Sequence, residues 1–265
     1  MIRRLFLFTF IFVLIEVDAF AQPMTDDLMK TILNSVQQSV TQKITNNPNE
    51  YRVQIIYTQI DRTKKGKPNF KNYHFNVDTD LYFNPASMVK MPLAFLSLEK
   101  LNELNKPGVD KYTRMEYDSN YVRQVAMKND SSAEYAYPSI AHFIKRALLI
   151  SENDPYNRMY QFLGQQDANR KLLNKGYASS RITRQFMGYS EEQNRHTNGI
   201  KFLDKEGKII YTQPPQYNTD SFSFHSPILI GKAHINREDQ LVKSPFDSPS
   251  TITFHLRICE RWCKL

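Results

Sequence analysis

A serine attacks a carbonyl only when one group takes its proton and another receives the negative charge that forms. The stretch Phe83-Asn84-Pro85-Ala86-Ser87-Met88-Val89-Lys90-Met91-Pro92 offers both. It places Ser87 where an extended segment turns into a helix. The first N–H groups of a helix have no intrahelical acceptor, and the helix dipole adds positive potential at the same point, so a developing oxyanion is welcome there. Lys90 follows by three residues, one turn deeper on the same face, and burial would lower its pKa enough for it to accept the hydroxyl proton. The spacing alone is weakly specific: Ser97-Leu98-Glu99-Lys100 repeats it in the middle of the same helix, where Ser97 has no free backbone donors around it. Ser87 and Lys90 also read as a helix cap followed by a surface lysine.

A second group of polar residues, Ser151-Glu152-Asn153, presents a hydroxyl and an amide together at a turn between two helices. The plain alternative is a C-cap and an N-cap. The elements that must position both groups follow from periodicity. Leu28, Ile32, Val36, Val40 and Ile44 predict one long first helix, capped by Thr25 or Asp26. Tyr51–Ile60 and Asn69–Val77 predict two strands joined by a turn at Lys64–Pro68, so the chain opens as α+β. Leu93, Leu96, Leu98, Leu101 and Leu104 predict a buried helix from Pro92, stopped by Pro107-Gly108. Tyr112–Tyr137 reads as loops with short helices. Ile140, Phe143, Ile144, Ala147 and Leu148 predict a helix opening at Pro138, and Tyr156, Met159, Tyr160 and Leu163 predict the next, from Pro155 to Gly164. Beyond Gly176 the chain reads as loops, with a β-hairpin at Phe202–Tyr211.

The two motifs and their surroundings resemble the class A β-lactamases and the related penicillin-binding proteins. Phe83-x-x-Ala86-Ser87-x-x-Lys90 matches the family's nucleophile phrase, and Ser151-Glu152-Asn153 matches its Ser-Asp-Asn element, 64 positions on. The flanks agree as well, Ala147–Ile150 before the tripeptide and Asn157–Gly164 after it, and the likeness runs from Tyr51 to Arg184. The resemblance implies an α+β, β-lactamase-like fold: an antiparallel sheet flanked by helices plus an all-helical lobe, with the C-terminal sheet strands missing. It implies that Ser87 attacks a lactam or peptide carbonyl and that Lys90 acts as base or as partner to a water-borne base. Ser151 would pass a proton to the leaving nitrogen, and Asn153 would hold Lys90 or the substrate amide. The expected substrate is a small β-lactam, whose hydrolysis confers antibiotic resistance, or a peptidoglycan-like amide. No metal and no organic cofactor is implied, and a monomer is expected.

Two departures weaken hydrolysis. Arg181-Ile182-Thr183-Arg184 fits the family's lead-in to its deacylating glutamate, but Gln185-Phe186 follows, and Glu191 and Glu192 are only weak candidates for that base. The family's Lys-Thr-Gly strand is absent: Lys243-Ser244-Pro245 carries a proline that denies strand geometry and a donor, and Gly231-Lys232-Ala233 fits no better. Slow deacylation, as in a penicillin-binding or esterase-like protein, is one rival reading. An inactive, truncated relative that binds cell-wall material is another.

Arg3, Arg4, the apolar run Leu5–Ile15 and Ala19-Phe20-Ala21 form a secretory signal peptide pattern, so export to the periplasm or medium is expected, with no stable membrane anchor. Residues 22–247 are then the catalytic domain and 248–265 an atypical tail, read as an altered or truncated end. The 265 residues are 41% hydrophobic and 23% charged, with a net charge of +8. That composition suits a globular domain, and the surplus suits anionic partners or plain solubility. Nucleic acid is not indicated, because no basic run is interleaved with aromatics and no zinc spacing occurs. Cys259 and Cys263 sit too near the end to brace the fold.

Overall fold

The computed structural model describes residues 23–78, 81–178, 180–222, 229–236 and 238–247. The expected leader at residues 1–21, and the tail 248–265 with Cys259, Trp262 and Cys263, lie outside the described residues. The chain divides after Asp78 into two compact units.

The first unit holds two short helices, α1 (Asp27–Ser35) and α2 (Ser39–Asn46), and a hairpin of β1 (Ile55–Arg62) and β2 (Pro68–Phe75). The hairpin is antiparallel, in register from Ile55↔Phe75 to Arg62↔Pro68. One long helix was expected over Leu28–Ile44, and the structure breaks it: Val36 and Gln38 are extended. The break falls in Ser35–Ser39, where serines and a β-branched valine give little helical preference. The expected apolar stripe is not an inward face either, because Met29 is buried while Leu28, Ile32 and Val40 are exposed. Asp26 stands at the N-cap position of α1, but neither expected side chain makes a capping hydrogen bond. The Asp26 carboxylate instead accepts the His74 N–H at 2.6 Å, and the Thr25 hydroxyl accepts the Asn76 N–H at 2.9 Å, which ties the entrance of α1 to β2.

The second unit starts its regular structure with a 3-10 turn, Ala86–Val89, that runs straight into α3 (Lys90–Leu104). Asn105, in the left-handed region at φ 41°, ends α3 before Pro107-Gly108 is reached. Then come β3 (Arg114–Tyr117), α4 (Ile140–Leu149), α5 (Asn153–Leu163), α6 (Gln165–Asn174), α7 (Glu191–Arg195), β4 (Ile200–Leu203) and β5 (Ile209–Gln213). Strands β3, β4 and β5 form an antiparallel sheet in that order. The short strands β6 (Leu229–Ile230), β7 (His234–Ile235), β8 (Leu241–Val242) and β9 (Phe246–Asp247) pair as β6 with β9 and β7 with β8. The fold is thus α+β, with every described strand pair antiparallel.

Besides α7 and β6–β9, which fall in the stretch read as loops beyond Gly176, strand β3 and helix α6 differ from expectation. Arg114–Tyr117 is a strand inside the region read as loops, with Met115 and Tyr117 buried and Arg114 and Glu116 less so, a period of two. Helix α6 was not anticipated, since its ten residues are mostly polar and bury only Gln165, Ala168 and Leu172.

Helix α5 is the axle of this unit. Every side chain from Pro155 to Leu163 is buried, so it is covered all round. Leu93 and Leu96 of α3 and Ile140, Phe143 and Ala147 of α4 join it in one core, with Met115, Tyr117, Ile200 and Phe202 from the sheet. Each such side chain contributes about 1.5–3 kcal/mol by leaving water. Even its arginine is satisfied: Arg158 Nη1 donates to the Val125 carbonyl at 2.9 Å, and its guanidinium lies over the Tyr117 ring. Among the described residues no helix is long and apolar enough to cross a membrane.

Candidate active site

The nucleophile candidate owes its position to a constrained entry. Pro85 fixes its own φ, and Ala86 adopts φ 45°, a left-handed backbone that a Cβ resists. The Ala86 N–H is held by the Asn84 side-chain oxygen at 3.0 Å, and the Met88 N–H bonds back to the Pro85 carbonyl at 2.9 Å. Ser87 therefore stands exposed at the mouth of the turn that becomes α3, while Val89 and Lys90 point into the protein.

Lys90 is only 1% exposed. Its amine donates to Ser87 Oγ at 3.3 Å, Ser151 Oγ at 3.2 Å and Asn153 Oδ1 at 2.9 Å, and also to the Ser151 carbonyl oxygen. These acceptors are all uncharged. Burial holds the amine below the usual lysine pKa, and the nearby Glu152 carboxylate opposes that shift in part. The ring of Phe186 closes the amine's surroundings, 5.4 Å from its centroid.

The other half of the cluster comes from the junction of α4 and α5. The first helix ends at Leu149, and Ser151 adopts φ 55°, so a left-handed residue reverses the chain and turns its carbonyl oxygen onto Lys90. Glu152 precedes the first residue of α5 and accepts the Arg146 Nε–H at 2.6 Å, clipping the turn back to α4. Asn153 then opens α5, the best-anchored helix of the unit. All four residues singled out in the sequence, Ser87, Lys90, Ser151 and Asn153, are brought together, with Lys90 as the shared partner.

Glu191 and Glu192 do not join them. They lie on α7 behind a Ser190/Gln193 capping box, and their carboxylates pair with Arg195 at 3.4 Å and His196 at 3.1 Å, one helical turn on. What reaches Lys90 from this part of the chain is Phe186. It packs on Tyr156 with ring centroids 4.5 Å apart, and its N–H is held by Asn157 Oδ1 at 2.7 Å. The Tyr156 hydroxyl donates to the Arg184 carbonyl at 3.0 Å, and the Gln185 N–H is held by Asn194 Oδ1 at 2.8 Å, so the segment is pinned residue by residue. The sequence held a signal for this place, the Arg181-x-x-Arg184 lead-in, but not for an aromatic ring over the amine. Lys243-Ser244-Pro245 lies between β8 and β9 and on neither.

Among the described residues no group of three or more histidine, cysteine, aspartate or glutamate side chains could hold a metal ion. The arrangement suits nucleophilic substitution at a carbonyl: an accessible hydroxyl, an amine with a lowered proton affinity beside it, and a second hydroxyl on the same amine. A family model described as the beta-lactamase enzyme family matches residues 36–214. Among curated proteins, none matches the chain.

Proposed function

The chain belongs to the beta-lactamase enzyme family, and on that premise we propose that it is a serine hydrolase of the class A type, exported to the periplasm or the medium, with residues 22–247 as its catalytic domain. Its substrates are small β-lactam or peptidoglycan-like amides, opened through an acyl-enzyme on Ser87. The observation that carries this reading is the position of the Lys90 amine, 3.3 Å from Ser87 Oγ and 3.2 Å from Ser151 Oγ. In its neutral form that amine takes the Ser87 proton as Oγ bonds to the carbonyl carbon. The Ser87 N–H, at the mouth of the turn that becomes α3, receives the oxyanion. The proton then passes from Lys90 to Ser151 and from Ser151 to the departing nitrogen as the C–N bond breaks, leaving an ester on Ser87. Asn153 keeps the amine aligned between the two hydroxyls.

One observation favours a second reading for the later half of the cycle. Phe186, the ring over Lys90, supplies no proton acceptor for the water that must cleave the ester. Acylation then outpaces deacylation, and the protein behaves as a penicillin-binding one. Intact-mass measurement with benzylpenicillin, paired with turnover of a chromogenic cephalosporin, separates the two. Many turnovers per molecule support the hydrolase; a single burst with a lasting adduct supports slow deacylation. No adduct and no turnover, or an adduct that survives Ser87→Ala, sinks both.

A further inference from the structure

The densest charge in the chain lies at the end of the β1–β2 hairpin. Between Asp61 and Lys71 stand five cations, Arg62, Lys64, Lys65, Lys67 and Lys71, against one carboxylate. That surplus of four is half of the chain's formal +8. All residues from Asp61 to Asn69 are exposed. The one carboxylate is turned to another use, since Asp61 accepts the Gln59 amide at 2.9 Å.

Several cations elsewhere in the chain are ion-paired. Lys171 pairs with Glu103, Lys175 with Glu99, Lys201 with Asp118 and Arg170 with Asp220. Lys64, Lys65 and Lys67 have no ion pair or side-chain hydrogen bond among the described residues. Their backbone is nonetheless well ordered. The Thr63 N–H donates to the Lys67 carbonyl at 2.9 Å, the Gly66 N–H to the Thr63 carbonyl at 2.8 Å, and the Lys67 N–H to Thr63 Oγ1 at 3.1 Å. Gly66 sits at φ 77°, where a side chain would be strained. Arg62 Nη1 reaches across to the Gly66 carbonyl at 3.2 Å and so joins the same cluster. The turn is a rigid mount for like charges, which repel one another unless an anionic partner receives them.

We propose that this hairpin end docks the protein, reversibly, on a bilayer surface carrying anionic phospholipid headgroups. The cations converge on the end of a two-stranded ribbon rather than lining a track or a groove. A planar array of phosphates meets such an end, whereas a linear polyanion would need a path along the surface. The turn itself, Thr63–Asn69, contains no aliphatic or aromatic side chain other than its proline, so attachment is electrostatic, without insertion, and screened by salt.

The test is co-sedimentation of the mature chain, from Gln22 onward, with vesicles of phosphatidylcholine alone or mixed with phosphatidylglycerol. Binding is expected only to the mixed vesicles and is expected to fall steeply as salt rises. Changing Lys64, Lys65 and Lys67 to glutamine weakens it about 100-fold, at about fivefold per lysine. A control with the same charge change elsewhere, K106Q/K205Q/K208Q, weakens it less than about threefold. Equal binding to both vesicle types, or equal losses in the two triple variants, overturns the proposal. So does inorganic polyphosphate held by the wild type and not by the tip variant when neither vesicle is bound, which reassigns the turn to a soluble polyanion. Both triples leave Ser87 untouched, and equal near-ultraviolet circular dichroism shows that they remain folded.

Discussion

The spacing Ser-x-x-Lys occurs twice at the start and middle of α3, and the two copies do different work. Ser87 is exposed at the helix mouth and its hydroxyl receives the Lys90 amine at 3.3 Å. Ser97, ten residues on, is fully buried and its hydroxyl bonds back to the Leu93 carbonyl at 2.8 Å, so its proton is already spent inside the helix. The lysines differ in the same way. Lys90 donates to two hydroxyls and an amide that reagents can approach. Lys100 donates to the Phe162 carbonyl at 2.6 Å and the Leu163 carbonyl at 3.2 Å, satisfying the C-terminal end of α5. Identical spacing places an amine one turn below a hydroxyl in both cases. On the proposed reading, reactivity comes from where the helix begins, and stability from where its neighbour ends.

The sharpest way to break this comparison is to remove each hydroxyl in turn. Ser87→Ala is expected to lower the rate of penicillin labelling by more than about 1,000-fold, whereas Ser97→Ala leaves it unchanged within the folded fraction. Labelling that survives the first change, or vanishes with the second, reverses the assignment.

Next in size is the Lys90 amine. Lys90→Met is expected to slow acylation by about 100- to 10,000-fold in stopped-flow measurement. In the wild type, acylation rises with pH as the amine loses its proton. Because burial lowers the Lys90 pKa, that rise comes below the range of an ordinary lysine.

Lys100 supplies the contrasting outcome. Lys100→Met takes the amine from both carbonyls, of which Phe162 keeps the Gln213 Nε2 donor at 3.1 Å and Leu163 does not, and is expected to cost about 1–3 kcal/mol in urea denaturation. The labelling rate of the folded molecules should not change. Burial pushes the Lys100 ammonium down to about 8. Between that value and the ordinary value of about 10.4 the unfolded chain holds a proton that the folded one has lost, so stability rises with pH across this window. The methionine variant lacks the rise.

The smallest effect sharpens the comparison from outside. Glu152→Gln removes the carboxylate that favours the charged form of Lys90, so the pH at which acylation becomes fast should move down. An upward move, measured in the same stopped-flow series, contradicts the electrostatic account of the site.

Local pattern reveals only part of this. Helices α3, α4 and α5 are legible because their leucines, isoleucines and aromatics recur at helical spacing and lie in the core. The Ser87/Lys90 pair and the Ser151/Asn153 turn are legible because each sits at a helix boundary marked by proline or by a break in the pattern. Helix α6 escapes because its buried side chains include Gln165, whose amide donates to the Thr183 carbonyl, a partner that local sequence does not indicate. Strand β3 escapes because four residues are too few to show alternation before Ile200–Leu203 pairs with them. The use of Lys100, and the placing of Phe186 over Lys90, depend on groups far away in the chain. The expected run through α1 and α2 fails for the opposite reason: a regular apolar spacing is present, but among the described residues Leu28, Ile32 and Val40 stay exposed.

Ala86 and Ser151, which flank the amine's cradle from its two sides, both hold backbone angles that glycine would adopt at no cost. Neither is glycine. The chain bears a local penalty of about 1 kcal/mol at each such corner and in return narrows the angles through which the two hydroxyls can swing. A glycine at Ala86 would ease the corner and widen that arc, so a gentler molecule here would also be a less well-aimed one.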